Sequence, residues 1–328
     1  MAKTSPGIFG DIKLIAGTSC PEMSQEISDY LSNVLGAPTP LSERMIRKFP
    51  NDNTYVQLGG SLRGQDVYII QTLARPVNDN LMELLIALDA IRRDSAGRIT
   101  TVIPYYAYGR SDRKDNPRTP ITARLVADLI QVAGADRYVT IDLHAGQLQG
   151  FFSIPGDALT AYHLLKDYVR KNVSTDNLMV VTVDLGFAKG GRNWSRALGV
   201  PLAFVEKSRK DTTAHAISLI GDVKGRNVLL VDDEVDTAGS LIHAIELLDA
   251  QGAQEITVAF THAVLSDPAM ERLTSIQGRI RQFITTNTIP HAPGTLLPNM
   301  TVISVAPLLG EVIRRAHIGM SVGALFNE

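Results

Sequence analysis

Short apolar runs and segments of helical periodicity alternate along most of the chain. Val228 to Val231 is a continuous run rich in β-branched residues, which predicts a strand buried on both faces of a parallel sheet. From Ser240 to Leu248 the apolar residues recur at helical spacing, and Gly252 then supplies a C-terminal stop signal. This part of the chain therefore predicts a strand, a polar loop and a helix, in that order.

The same alternation continues on both sides of that stretch. Further strands are predicted over residues 12–16, 55–58, 67–70, 98–103, 138–142, 179–183, 202–205, 217–221, 256–260, 281–284 and 301–305. Helices are predicted over 24–35, 79–91, 122–132, 159–169 and 308–316, with Asp79 able to cap the second of them. The order indicates an α/β protein with two tandem, doubly wound parallel-sheet domains.

A repeat within the chain supports two domains. At a constant offset of 118 residues, two sets of five residues coincide without a gap. They are Leu129, Gly134, Ala135, His144 and Ala145, and Leu247, Gly252, Ala253, His262 and Ala263. Pro155 and Gly156 lie between the copies, so we expect domains over 1–156 and 157–328, with the last residues returning to pack on the first domain.

Composition narrows the class of protein. The chain has 328 residues, of which 45% are hydrophobic and 20% charged, enough for one or two substantial cores. A net charge of -2 gives no global field that would recruit nucleic acid or a membrane, and no apolar run approaches the ~20 residues of a membrane span. The single cysteine, Cys20, excludes an intramolecular disulfide, and residues 1–10 lack the apolar core of a signal peptide. We therefore expect a cytoplasmic protein.

The polar loop after the Val228 strand has two chemically different halves. Asp236, Thr237, Ala238, Gly239 and Ser240 combine two hydroxyls with small residues that let a backbone approach an anion, at the start of a helix. Asp232 and Asp233 precede this group by a few residues. They would repel a bare phosphate, but they could accept hydrogen bonds from sugar hydroxyls or bind a divalent cation. A phosphosugar satisfies both halves. The alternative is a helix cap beside a solvated acid.

A second polar segment, Gly109 to Arg118, contains four basic and two acidic residues and no aliphatic or aromatic side chain. A segment of this composition gains nothing from packing, so we expect it to be mobile. It also follows a predicted strand end, where ligands of α/β proteins bind. The alternatives are a solvated linker and a loop that closes over a charged ligand.

Seven further residues, in four segments, are candidates for a functional site, but each could also have a purely structural role. His144 follows the strand that ends at Asp142, and a single histidine is commonly structural. Asp184 also follows a strand. Lys207 and Arg209 would share one face of an extended segment, or form a basic patch on a turn. Phe49, Asn51 and Asn53 could belong to an ordinary surface hairpin.

These motifs together resemble a known family. The Asp232 to Ser240 stretch resembles the phosphoribosyl diphosphate binding loop of the type I phosphoribosyltransferases. Over nearly its whole length the chain is similar to the ribose-phosphate diphosphokinases, through Asp142-Leu-His144, Gly150-Phe-Phe152 and the Arg110 to Lys114 loop. The resemblance implies transfer of the β,γ-diphosphoryl group of ATP to the C1 hydroxyl of ribose 5-phosphate, with Mg2+.

The resemblance also implies roles for individual residues. Catalytic cations would be Lys207, Arg209 and Arg110. ATP would contact Phe49, Asn51, Asn53, Arg110, Ser111, Asp112, Lys114 and His144, the first three from a neighbouring subunit. Ribose 5-phosphate would contact Arg209, Asp232, Asp233, Asp236, Thr237, Ala238, Gly239 and Ser240, and Mg2+ would be bound by His144 and Asp184. Self-association as a dimer-based hexamer would follow.

Four positions depart from the family pattern. Asn53 replaces an acid, Ser111 replaces glutamine, and Phe187 and Gly190 replace residues of a Pro-Asp-x-Gly-Gly-x-Lys-Arg motif around Asp184. These departures keep open a catalytically silent homologue that regulates a true synthetase. A phosphoribosyltransferase would share the sugar-phosphate loop, but would leave the His144 and Lys207 segments unexplained.

Overall fold

The computed structural model describes residues 9–210 and 214–325, without the side chains of 207–217 and of Ala324. The chain forms two compact units. In the described part of the chain, unit 1 comprises residues 9–160, 288–290 and 304–325, and unit 2 comprises residues 161–287 and 291–303. The chain passes from unit 1 to unit 2 between Thr160 and Ala161. The expected division after residue 156 stays a prediction.

Strands and helices alternate as predicted. The strands are β1 Ile12–Ala16, β2 Arg44–Lys48, β3 Thr54–Leu58, β4 Asp66–Ile70, β5 Arg98–Ile103, β6 Arg137–Ile141, β7 Gly156–Leu159, β8 Leu178–Thr182, β9 Leu202–Lys210, β10 Ala214–Ile220, β11 Asn227–Val235, β12 Ile256–Ala263, β13 Ile280–Thr286 and β14 Met300–Ile303. The helices are α1 Pro21–Leu35, α2 Val77–Arg93, α3 Thr122–Ala133, α4 Tyr162–Asn172, α5 Ala188–Leu198, α6 Gly239–Ala250, α7 Ala269–Ile276 and α8 Ala306–His317. None of the described helices combines the length and the hydropathy that a bilayer span requires.

Each unit is built on a parallel sheet. The sheet of unit 1 has the order β1-β4-β5-β6-β7, and all its neighbouring strands are parallel. The sheet of unit 2 has the order β10-β9-β8-β11-β12-β13-β14, in which only β10 and β9 are antiparallel. A separate antiparallel hairpin joins β2 to β3. The predicted α/β class with parallel sheets is confirmed.

The central strands of unit 2 are continuous apolar runs, because helices cover both faces of that sheet. Met179, Val181, Val228 and Leu230 pack with residues of α6 and α7, whereas Leu178, Val180, Leu229 and Val231 pack with residues of α4 and α5. A strand covered on both faces has no solvent side to place polar residues on. The continuous Val228 to Val231 run is therefore explained.

Several predicted boundaries are wrong. The helix expected over 159–169 begins only at Tyr162, because Leu159 ends β7 at the edge of the first sheet. The strands expected over 202–205 and 228–231 are each nine residues long, so Asp232 and Asp233 lie inside β11. Asp79 does not cap α2 but forms an ion pair with Lys48 in the β2–β3 hairpin, at 2.9 Å.

The predicted repeat is visible in the order of elements. In unit 1, α3 precedes β6, and in unit 2, α6 precedes β12 at nearly the same offset. Each helix is followed by a glycine with a positive φ, +131° at Gly134 and +82° at Gly252. The coincidence of helix, turn and strand expected from the sequence is therefore present.

A buried ion cluster joins α8 to the sheet of unit 1. Asp66 is fully buried and accepts two hydrogen bonds from Arg98, at 2.8 and 2.6 Å, while His317 Nδ1 lies 2.8 Å from its Oδ2. Arg98 also donates to the carbonyl of Ala316, at 3.1 Å. Burial alone would raise the pKa of Asp66, but hydrogen bonds from His317 and Arg98 outweigh it and lower that pKa. The charged carboxylate thus stabilises the docking of α8.

We predict that Asp66→Asn destabilises the protein by about 3–5 kcal/mol, because Arg98 would remain buried without its counter-charge. Urea unfolding at pH 7 measures the change in free energy. The lowered pKa means that the contribution of Asp66 is present at neutral pH and is lost as the pH falls below about 4. Asp89→Asn, which breaks the exposed pair with Arg93, is the control and should change little. Equal effects of the two substitutions would contradict this account of α8.

Candidate active site

Strand β11 places two acids at the carboxyl edge of the second sheet. It pairs in parallel with β8 and β12, and the register sets Val231 opposite Thr182 and Asp232 opposite Phe260. The carboxylate of Asp232 accepts from the backbone N–H of Asp233 at 3.0 Å, and that of Asp233 accepts from the N–H of Glu234 at 2.9 Å. Both side chains therefore lie close to the backbone at the end of this central strand.

The acids at this edge repel one another. The pKa of Asp232 is raised well above its ordinary value by burial first, then by the charge of Asp233 and, further down, by that of Asp184. Asp184 follows β8, the parallel neighbour of β11, and its Oδ1 also accepts from the N–H of Phe187 at 3.2 Å. A cation or sugar hydroxyl groups placed here would relieve the repulsion. Among the residues that the structure describes, no cluster of three or more metal-ligating side chains is preformed.

The phosphate half of the loop begins helix α6. Ala238 has a φ of +59°, an uncommon value for a residue other than glycine, and α6 starts at Gly239. The first backbone N–H groups of an α-helix have no partner within the helix, and they favour an anion. Asp236, Thr237 and Ser240 flank this turn, so the predicted phosphosugar residues of unit 2 are brought together with Asp184 beside them.

The predicted pair Lys207 and Arg209 lies on β9. The extended conformation that we predicted for this segment is confirmed, because β9 continues to Lys210 and pairs with β10, with Ile217 opposite Lys207 and His215 opposite Arg209. The side chains of Lys207 and Arg209 lie outside the described part of the structure. Their predicted contacts with the transferred groups therefore stay predictions.

The charged loop and His144 lie together in unit 1. A Cβ placed on Gly109 would lie 3.5 Å from the Cβ of His144. Further along the loop, Asp112 accepts a hydrogen bond from Gln147 Nε2 at 2.8 Å. Ser111 is tied to the start of α3, because its carbonyl accepts from the N–H of Ala123 at 3.2 Å. The loop base is therefore held against the His144 segment, whereas Arg110 and Lys114 are exposed.

A cavity of about 440 Å³ lies next to the start of this loop. It separates the first turn of α2 from the residues that follow β5, and Tyr105 and Tyr108 form part of its wall. The hydroxyl of Tyr108 donates to Asn78 in the same wall. Aromatic faces and amide groups are thus available beside the loop.

Phe49, Asn51 and Asn53 are at the tip of the β2–β3 hairpin. Phe49 is 39% exposed, and the Arg47 guanidinium lies 5.3 Å from the ring centroids of both Phe49 and Tyr55. The Oδ1 of Asn51 accepts from the N–H of Asn53 at 3.3 Å. This is the surface hairpin that the sequence allowed. The predicted contact of its tip with a nucleotide on a neighbouring subunit stays a prediction.

Two of the four departures from the family pattern are coupled by packing. A Cβ on Gly190 would lie 2.5 Å from Cζ of Phe187, so the aromatic ring fills the space beside residue 190. Phe187 is partly buried against the core formed by α4, α5 and the sheet. In the observed conformation, the Phe187 ring occupies the space that a side chain at residue 190 would need. The two departures form one packing change beside Asp184.

Sequence reasoning missed three residues near these sites. Gln147 binds the charged loop, and Arg272 donates to the carbonyl of Thr237 at 2.8 Å. Glu234 is buried and lies opposite His262 in the register of β11 and β12, although no acidic residue lies near that histidine along the chain. Only the position of Glu234 directly after two acids could have indicated its place. His262 is itself buried.

Comparison with known proteins agrees with these features. The model for the N-terminal domain of ribose phosphate pyrophosphokinase matches residues 12–134, and that for the phosphoribosyl synthetase-associated domain matches residues 190–327. The chain is 46% identical to ribose-phosphate pyrophosphokinase of Clostridium acetobutylicum over 97% of its own length and 98% of that protein. It is also 46% identical to ribose-phosphate pyrophosphokinase of Aquifex aeolicus, over 96% of its own length and 99% of that protein.

A solved structure supports the same assignment. Phosphoribosylpyrophosphate synthetase from Mycobacterium smegmatis is 40% identical and superposes with a TM-score of 0.87, covering 93% of this chain and 98% of that one. The resemblance found in the sequence is confirmed, and with it the two-domain α/β fold. The chain is an enzyme of the ribose-phosphate pyrophosphokinase family.

Proposed function

We propose that the chain transfers the β,γ-diphosphoryl group of ATP to the C1 hydroxyl of ribose 5-phosphate and releases AMP. The observation that carries this proposal is the arrangement at the end of β11, where two acids are followed, after a short loop, by the N-terminus of α6, which favours an anion. Membership of the family supports the reaction as a whole. The full-length similarity favours the enzyme over a phosphoribosyltransferase or a silent regulatory homologue.

Ribose 5-phosphate would bind with its phosphate on the loop and its sugar on the acids. The N–H groups at the start of α6, with the hydroxyls of Thr237 and Ser240, suit the phosphate. Asp232 and Asp233 would accept hydrogen bonds from the sugar hydroxyl groups. This orientation leaves the C1 hydroxyl on the side of the acids, away from the helix.

Magnesium would be bound beside the phosphates of ATP. Mg2+ prefers oxygen ligands and is commonly bound by one or two carboxylates together with substrate phosphates, which fits Asp184. Burial and then the charges of Asp233 and Asp184 raise the pKa of Asp232, and such a cation would offset the repulsion between these acids. The imidazole of His144, a less usual donor for Mg2+, would contact the ATP-bound ion. When bound, the metal would neutralise part of the negative charge of the phosphates.

The remaining predicted residues would position ATP and stabilise the developing charge. Diphosphoryl transfer needs mainly positioning and cations, so Arg110, Lys207 and Arg209 are assigned to the transferred groups. Ser111, Asp112 and Lys114 would contact the nucleotide when the loop closes. Phe49, Asn51 and Asn53 would reach the ATP adenine bound to a neighbouring subunit, which requires self-association, and the family resemblance suggests a dimer-based hexamer. A cytoplasmic location, expected from the composition, is part of this proposal.

The cations provide the test of the transfer site. We predict that Arg110→Ala, Lys207→Ala and Arg209→Ala each lower kcat by about 10²-fold, or ~3 kcal/mol, with smaller changes in substrate affinity, because the cations act on charge that develops during transfer. Release of AMP from ATP, Mg2+ and ribose 5-phosphate measures turnover. Arg93→Ala removes an exposed arginine of α2 and should leave turnover unchanged. Wild-type turnover in all three variants would refute the assignment.

The acids provide a test that depends on pH. Because the pKa of Asp232 is raised in the folded protein, ionising this group costs stability as the pH rises from about 4 through the raised value. Asp233→Asn removes the neighbouring charge but keeps an acceptor for the N–H of Glu234. We predict that it raises Tm more at pH 8 than at pH 5, measured by circular dichroism without ligands. Glu246→Gln, on the exposed face of α6, is the control. A pH-independent change, or a lower Tm at pH 8, would argue against repulsion at this edge.

A further inference from the structure

Arg272 contacts the sugar-phosphate loop from a different element. It lies on α7, and its Nη1 donates to the carbonyl oxygen of Thr237 at 2.8 Å. The side chain is exposed, so the contact is not a consequence of burial in the core. A charged donor reaching a backbone carbonyl of this loop indicates a role in fixing the loop.

The same guanidinium also lies against the start of α6. A Cβ placed on Gly239 would lie 3.3 Å from Nη1 of Arg272, which is closer than most real contacts of a Cβ. A side chain at residue 239 would therefore have to displace this guanidinium by a few tenths of an ångström. The positive charge is thus placed at the helix terminus that favours an anion.

The hydrogen bond to Thr237 determines the direction of the next N–H. The carbonyl of Thr237 and the N–H of Ala238 belong to one planar trans peptide and point in opposite directions. Since Arg272 fixes the carbonyl, it also fixes the N–H of Ala238, a residue whose φ is +59°. Loss of the bond would let this peptide rotate and would misalign a donor of the anion site.

The guanidinium of Arg272 has hydrogen-bond donors available for a second partner. Within the described residues the side chain of Arg272 donates one hydrogen bond, to the carbonyl of Thr237, and forms no ion pair with a carboxylate. Most of the guanidinium donors are therefore left for a ligand. A planar guanidinium binds phosphate oxygens with charge-assisted hydrogen bonds, which a neutral side chain cannot replace.

We propose that Arg272 is a positioning residue for the phosphate of ribose 5-phosphate. It orients the Thr237–Ala238 peptide and adds positive charge on the Gly239 side of the turn. This inference rests on the proposed function, because it takes the loop to be the sugar-phosphate site. It predicts an effect on ribose 5-phosphate that ATP does not share.

The test compares Arg272→Met and Arg272→Lys with Glu271→Gln, an exposed substitution on the same helix. For Arg272→Met we expect KM for ribose 5-phosphate to rise about tenfold or more, with kcat and KM for ATP within about threefold of wild type. Arg272→Lys keeps the charge without the planar fork and should show a smaller rise, about threefold. Glu271→Gln should match wild type. Calorimetry with ribose 5-phosphate measures binding independently of turnover.

The outcomes separate this inference from the proposed function. A wild type that binds ribose 5-phosphate and an Arg272→Met variant that binds it equally well would overturn the role of Arg272 alone. Equal rises in KM for both substrates, together with a lower Tm, would show a merely structural role and would also overturn it. A wild type that binds no ribose 5-phosphate would overturn both. Selective weakening in Arg272→Met supports the inference even if AMP is not formed.

Discussion

The parallel pairing of β11 with β8 and β12 is the constraint on which the site of unit 2 depends. Because parallel strands end at the same edge of a sheet, the residues after β8 and the last residues of β11 must meet there. Asp184, Asp232 and Asp233 are brought together in this way, and burial, followed by the charges of the other two acids, raises the pKa of Asp232. The hydrophobic core on both faces stabilises the strands in an arrangement that the acids alone would oppose.

The charge at this edge changes sign over a few residues. Acids that repel a phosphate end β11, and the positive end of α6 follows directly, with Arg272 beside it. A ligand that is anionic at one end and rich in hydroxyl groups at the other matches this sequence of charges. A cation between the acids and further phosphate groups would complete the neutralisation. The separation of charge therefore selects for a phosphosugar more strongly than either half does.

Much of this could be predicted from the sequence, since the information was local. The Val228 to Val231 run predicted a buried parallel strand. The motif around Asp232 to Ser240 indicated a sugar-phosphate loop, and the segments around Asp142 and Arg110 narrowed the resemblance to the family. The contacts that were missed join residues far apart in the chain. Arg272 is 35 residues from Thr237, and His317 is 251 residues from Asp66, so no spacing rule connects them. The lengths of β9 and β11 were also missed, because polar residues continue a strand when a neighbouring strand pairs with them.

The departures from the family pattern show a second reason why part of the site could not be predicted from the sequence. Phe187 and Gly190 are each unusual when considered alone, and together they weakened the prediction for the pocket around Asp184. The structure shows that one residue makes room for the other, so they change packing beside the site. Asn53 and Ser111 have no such compensating partner in the described residues, and nothing in the structure explains them.

The central claim is that two phosphoryl groups move together to one sugar oxygen. Phosphorus NMR of the protein with ATP, Mg2+ and ribose 5-phosphate follows both groups directly. The account predicts that the β and γ resonances of ATP are replaced in equal amounts by the two resonances of one sugar diphosphate, with AMP as the nucleotide product. Formation of ADP with a singly phosphorylated C1 hydroxyl, or ATP that stays unchanged with active protein, would contradict it.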